Sequence, residues 1–265
     1  MENISKEINY KMDSITDNFS SIIDLALKNI EKADEILLDS FTRFRENIKD
    51  CKGKAPLITG IMEFLYFEFC KRYISSKLKI DNFTELKSKL STEAVYYYKS
   101  SYNKKNIILC SDIDIGEKNH IKIKLRNPET DEILKLRPDI FIALEDENNK
   151  VIPIAFIEIK QYTDMSRFRE SIFDRFEGIK LSLNKYFSDF NPYFIVINIE
   201  AYKSDEFDNE FIEFQKKLDN FLYLKRDWNQ EYWNIEKKGW DSPIKGLRIN
   251  QILDKVIELI KEYIK

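Results

Sequence analysis

The stretch KLRPDIFIALEDENNKVIPIAFIEIKQY, residues 135–162, is apolar enough for the middle of a buried sheet, yet it carries Asp139, Glu158 and Lys160. In an extended strand alternate residues share a face, so Ile152, Ile154, Phe156, Glu158 and Lys160 are expected to point one way and Ala155, Ile157 and Ile159 the other. Both faces are apolar, which predicts a strand buried on both sides. Charges ending such a strand each cost several kcal/mol in desolvation unless paired or bound to an ion. If Asn148 and Asn149 form a two-residue hairpin turn, Asp139 falls directly opposite Glu158, with the two side chains about 5 Å apart on one face. Carboxylates that close repel when both are ionised, and a hard divalent cation between them is a direct way to keep both anionic. Lys160, two residues on, reaches the same spot.

Working outward, the run LITGIMEFLYFEFCKRYI repeats Ile58, Ile61, Leu65, Phe69 and Tyr73 at helical spacing, with Glu63 and Glu68 inside it. NIILCSDIDI, HIKIKLRN, EILKLRPDIFIAL and VIPIAFIEIK then read as strands. A helix is predicted from about Ser166 to Phe187, with Phe168, Ile172, Phe176, Ile179, Leu183 and Tyr186 on its apolar stripe, and NPYFIVINI is the next strand. The order helix, strands, helix, strand describes an α/β core whose last two strands run parallel through a crossover helix.

Two flanks surround that core. Residues 1–50 place apolar side chains from Ile4 to Ile48 in steps of about 3.7 residues, which fits one long helix or a two-helix hairpin, serving as a packing layer or a dimerisation region. Residues 204–265 read as a mostly helical extension of the same domain, rich in tryptophan and ending in an amphipathic helix. The core itself spans residues 51–203.

Pro138-Asp139 followed by Glu158-Ile159-Lys160 resembles the PD-(D/E)XK signature of the restriction-endonuclease-like nuclease superfamily, over roughly residues 56–200. The resemblance implies a restriction-endonuclease-like core, a mixed sheet flanked by helices, with helical additions at both ends. It implies Asp139 and Glu158 as Mg²⁺ ligands, joined by the Ile159 carbonyl, with Mn²⁺ able to substitute. Lys160 is then expected to position or help deprotonate the attacking water and to offset charge on the scissile phosphate. Glu63 resembles the additional acidic residue that many members carry on the upstream helix, with Glu68 as the alternative. Gln161 resembles a polar position that some relatives use near metal or substrate, and equally could simply end the strand. Arg167, Arg169 and Arg175 on the following helix, with Lys104 and Lys105, are candidates for backbone phosphate contacts, although a solvated basic face accounts for such residues as readily.

The expected function is Mg²⁺-dependent hydrolysis of phosphodiester bonds in duplex DNA by a homodimeric restriction or other defence endonuclease. The alternatives are a nuclease of DNA repair or recombination, a signal-activated effector, and an inactive interaction module built on the same core. A formal charge of -3 does not itself favour nucleic acid, but 43 Lys and Arg among 46 Asp and Glu leave room for a basic groove. The single histidine, His120, excludes a paired-histidine ribonuclease, and Gly53-Lys54-Ala55 does not complete a phosphate-binding GxxxxGK[ST] loop, so no nucleotide motor is expected in this chain. Cys51, Cys70 and Cys110 form no CxxC pair and read as reduced thiols. No apolar run approaches the roughly 18 residues of a membrane span, and a cytoplasmic address is expected.

Overall fold

The structure, a computed structural model, describes residues 19–47, 54–81, 83–85, 97–110, 138–148, 151–160, 174–186, 190–203, 205–228, 233–236, 239–240 and 244–264. The chain divides into two compact units, Met1–Tyr73 with Trp233–Asp241, and Ile74–Tyr232 with Ser242–Lys265. None of the described helices is long and apolar enough to cross a membrane.

The first unit is helical. Helix α1 covers residues 19–28, a 3₁₀ turn follows at Ile30–Lys32, and α2 runs over Ala33–Asn47. The helical period of the N-terminal region is thus interrupted at Asn29, whose φ of -119° and ψ of 59° lie outside the helical region. Its side-chain amide donates to the Leu25 carbonyl at 2.9 Å, the kind of local bond by which asparagine competes with a helix. Phe19 packs edge-on against Phe44 at 6.2 Å and lies 6.3 Å from Phe64 on α3 (Lys54–Leu78), the helix that continues into the second unit. Helix α3 is apolar nearly all round, from Ile61 and Met62 through Leu65, Tyr66, Phe67 and Phe69, and it is correspondingly buried. A small hairpin pairs Trp233 with Trp240 and lies against α2.

The second unit holds an eight-stranded mixed sheet whose strands lie side by side in chain order. They are β1 (Thr84–Glu85), β2 (Tyr97–Tyr102), β3 (Lys105–Cys110), β4 (Ile140–Glu145), β5 (Val151–Lys160), β6 (Tyr193–Lys203), β7 (Phe221–Trp228) and β8 (Ile244–Gly246). Strands β1 to β5 are antiparallel, β5, β6 and β7 are parallel, and β8 returns antiparallel to β7. The parallel steps are made through α4 (Asp174–Tyr186) and α5 (Asp205–Lys217), and α6 (Ile249–Ile264) ends the described chain.

Aromatic contacts fix the faces. Phe141, Phe156 and Phe194 stack in a row across β4, β5 and β6, at 4.9 Å and 5.7 Å, and Phe176 of α4 sits 5.2 Å from Phe194. Phe211 of α5 lies 4.4 Å from Tyr223, which pairs with Val196 in register. Helices α4 and α5 therefore cover one face. The amphipathic α6 covers the other, burying Ile249, Ile252, Leu253, Val256, Ile257 and Ile260. Tyr193, on that side, has its hydroxyl pushed up by burial and by Glu258 and Glu262 of α6.

Three differences from the sequence reading have physical causes. Residues 204–265 are not mostly helical in their middle, because the apolar run Phe221–Leu224 joins the sheet as β7 and Ile244–Gly246 as β8. The turn is not a two-residue Asn148–Asn149 turn: Glu145 pairs with Val151, closing a longer loop in which the Asn148 amide donates to Asp146 Oδ1 at 2.9 Å. The register shifts between Ile142 and Ala143, where Ala143 faces Pro153 and Ile142 faces Ala155, leaving Ile154 as a bulge. Pro153 has no N–H for the ladder, and bulges accommodate proline. Ile152 consequently pairs with Leu144 and sits on the opposite face from Phe156 and Glu158. The longer loop and the bulge offset each other, so Ile140 still pairs with Ile157 and the step beyond brings Asp139 beside Glu158.

Candidate metal centre

Strand β4 leaves the ladder at Pro138-Asp139, and the Asp139 side chain takes over a backbone donor of β5: Ile159 N–H donates to Asp139 Oδ2 at 2.6 Å. The Lys160 ammonium donates to the same oxygen at 2.9 Å and lies 2.7 Å from Glu158 Oε2. Glu158 is fully buried, while Asp139 and Lys160 keep about a seventh of their side chains exposed, at 14% and 15%. The three groups thus sit at the rim of the covered face, reachable through Asp139 and Lys160.

The electrostatics follow from that enclosure. Burial alone would lower the Lys160 pKa, but Glu158 and then Asp139 more than offset it, so the value is held above the ordinary lysine range. A buried carboxylate such as Glu158 requires a compensating cation, and Lys160 supplies one charge against two.

Two carboxylate oxygens from adjacent strands converging on one cationic centre form a donor set suited to a hard divalent ion. Mg²⁺ is commonly held by one or two carboxylates, with water and substrate oxygens completing its shell. Among the described residues no group of three or more His, Cys, Asp and Glu is gathered in one place. Among the described residues of the sheet unit, Asp139 and Glu158 could hold a metal, with Ile159 between Glu158 and Lys160 on β5.

The remaining candidates are distributed as follows. Glu63 is half-buried on α3 in the first unit. Its alternative, Glu68, is held by cations of its own helix, with Lys71 at 2.5 Å and Arg72 at 3.8 Å, and Arg72 also binds Asp24 and Ser20. Gln161, Arg167, Arg169 and His120 lie outside the described residues, and for Arg175 only the backbone, in α4, is described. Lys104 occupies the exposed β2–β3 turn. Lys105 donates to the Tyr263 carbonyl in the last turn of α6, where a cation complements the helix dipole. Lys180 similarly binds the Lys217 carbonyl at 2.8 Å, at the end of α5.

Two polar residues missed in the sequence complete the picture. Asn198 pairs with Lys160 in the parallel register, so both lie on one face, and Asn198 has no solvent exposure. Lys225, also fully buried, follows Leu224, the register partner of Ile197, at the point where the β6–β7 register shifts. Asp139, Glu158, Lys160 and Asn198 form a polar row across β4, β5 and β6, at the carboxyl end of the described β5–β6 pairing, where open α/β sheets characteristically bind ligands. The available signals were an asparagine inside the apolar run YFIVINI and a lysine directly after FLYL.

Comparison with protein families, curated proteins and solved structures finds no match for this chain.

Proposed function

We propose that this protein is a divalent-metal-dependent nuclease hydrolysing phosphodiester bonds, with duplex DNA as its substrate, of the PD-(D/E)XK type that residues 138–139 and 158–160 resemble. The observation that carries the reading is the convergence of Asp139 and Glu158 on one cationic centre, 2.9 Å and 2.7 Å from the Lys160 ammonium. Asp139 and Glu158 would hold the ion, and the bond from Ile159 N–H fixes the orientation of the Asp139 carboxylate. Bound Mg²⁺ or Mn²⁺ would polarise the phosphodiester and lower the pKa of the attacking water. Lys160 brings a positive charge and three N–H donors to the scissile phosphate, where negative charge builds in the transition state. A defence endonuclease acting as a homodimer is the biological setting we favour, because cutting both strands of a duplex calls for two sites.

A second reading is an inactive interaction module, in which the same three residues form only a structural ion triad; the mutual pairing of Lys160 with both carboxylates favours it. Incubating supercoiled plasmid, linear duplex, single-stranded DNA and RNA with the protein in Mg²⁺ or in EDTA separates the two. The nuclease reading expects cleavage of DNA in Mg²⁺ and none in EDTA. Intact substrates under every divalent metal leave the interaction module.

A further inference from the structure

The Lys160 ammonium occupies the space between the same two carboxylates that would hold a metal, at 2.9 Å from Asp139 Oδ2 and 2.7 Å from Glu158 Oε2. A divalent ion at those oxygens and the ammonium repel each other, so metal entry requires the ammonium to find another acceptor. Lys160 is largely buried, and turning it into an apolar surround would cost several kcal/mol. The neighbouring strand supplies a polar group at the required height: Asn198 is the register partner of Lys160 on β6, on the same face and fully buried. Its amide oxygen has two lone pairs and can accept from the Lys160 ammonium on β5. The other β6 partners of this face of β5 are apolar, with Val196 beside Glu158 and Phe194 beside Phe156.

We propose that Asn198 is a positioning residue that receives the Lys160 ammonium when a divalent cation displaces it from Asp139 and Glu158. The metal-free and metal-loaded centres then differ by a swing of one side chain across a single strand spacing. Lys160 is carried away from the metal ligands yet stays beside them, where it can face a phosphate. This inference rests on the metal-centre reading above and adds to it a residue that the PD-(D/E)XK resemblance does not include.

The test is calorimetric titration of the DNA-free protein with Mn²⁺ for wild type, Asn198→Leu, Lys160→Met and the double variant, with circular dichroism confirming the fold of each. Asn198→Leu removes the second acceptor and is expected to weaken Mn²⁺ binding about tenfold or more, in the range reported for residues that orient metal ligands. With Lys160→Met there is no ammonium to displace, so the same leucine is expected to change affinity less than about twofold; a coupling of that size is resolvable by such a cycle. Asn198→Asp, which retains an acceptor, is expected to bind Mn²⁺ at least as tightly as wild type, and Asn198→Ala replaces the leucine variant should that not fold. Equal losses in both Lys160 backgrounds, or no loss in either, overturn the positioning role while leaving the metal centre standing. Absence of Mn²⁺ binding by wild type overturns the metal centre and this inference with it.

Discussion

Glu158 ends a strand with no exposure to water, and its compensation by Lys160 governs what single substitutions do. Removing one partner of a buried ion pair leaves the other uncompensated, so Lys160→Met is expected to destabilise the metal-free protein by about 3 kcal/mol, measured by urea unfolding in EDTA. The pH dependence has a definite sign. Because the folded-state pKa of Lys160 is raised, its stabilising contribution is complete below the ordinary lysine value of about 10.4 and is lost as pH climbs beyond it. In EDTA, wild type should therefore lose stability more steeply than Lys160→Met above that pH; parallel curves would show that Lys160 is not so held. Burial, partly offset by a backbone hydrogen bond, pushes the Cys70 thiol up to about 12, so Cys70 is expected to resist thiol reagents at pH 8 until the protein is unfolded. Asp139, Glu158 and Lys160 were legible in the sequence because charge inside an apolar run is conspicuous. Asn198 was not, because its proximity to the site depends on a parallel register set through α4, which no local turn encodes.

At the scale of elements, the hairpin shows why register was predictable and the turn was not. Apolar patterning fixes which faces of β4 and β5 meet, and a slip of one residue would expose every core side chain, so the Ile154 bulge restores what the longer loop displaces. Other junctions carry backbone requirements of their own. Gly246 has φ of +81°, and a Cβ there would lie 2.2 Å from the Tyr223 carbonyl oxygen. Gly246→Ala is accordingly expected to cost more than about 1 kcal/mol in thermal or urea unfolding, because both the dihedral and the space exclude it. Lys104, with φ of 67° beside Asn103 at 45°, holds a left-handed conformation in the β2–β3 turn, and Lys104→Gly should stabilise by about 1 kcal/mol. On α3, Glu68 is paired with Lys71 and Arg72, so Glu68→Gln should lower the melting temperature without abolishing cleavage by the folded protein.

For the whole molecule, the α/β class and the hairpin, crossover helix and parallel strand were readable from periodicity, while the extent of the sheet was not. Strand β2 is a tyrosine-rich, polar segment whose pairing comes from β3, and β7 and β8 extend the sheet past β6 from a region whose pattern reads as helical and aromatic. Local pattern carries little of that information. Assembly is testable independently of chemistry: sedimentation is expected to give about twice 31.7 kDa, and a monomer at micromolar concentration would make residues 1–50 a packing layer or a target-recognition addition. The central claim is that hydrolysis resides in Asp139, Glu158 and Lys160, and the most direct measurement is the rate of plasmid nicking in Mg²⁺ by wild type beside folded Glu158→Gln. The account predicts cleavage by wild type, abolished by EDTA, and a loss of at least about 100-fold in the variant, in keeping with removal of a group that stabilises the transition state. Cleavage by Glu158→Gln at the wild-type rate would contradict it.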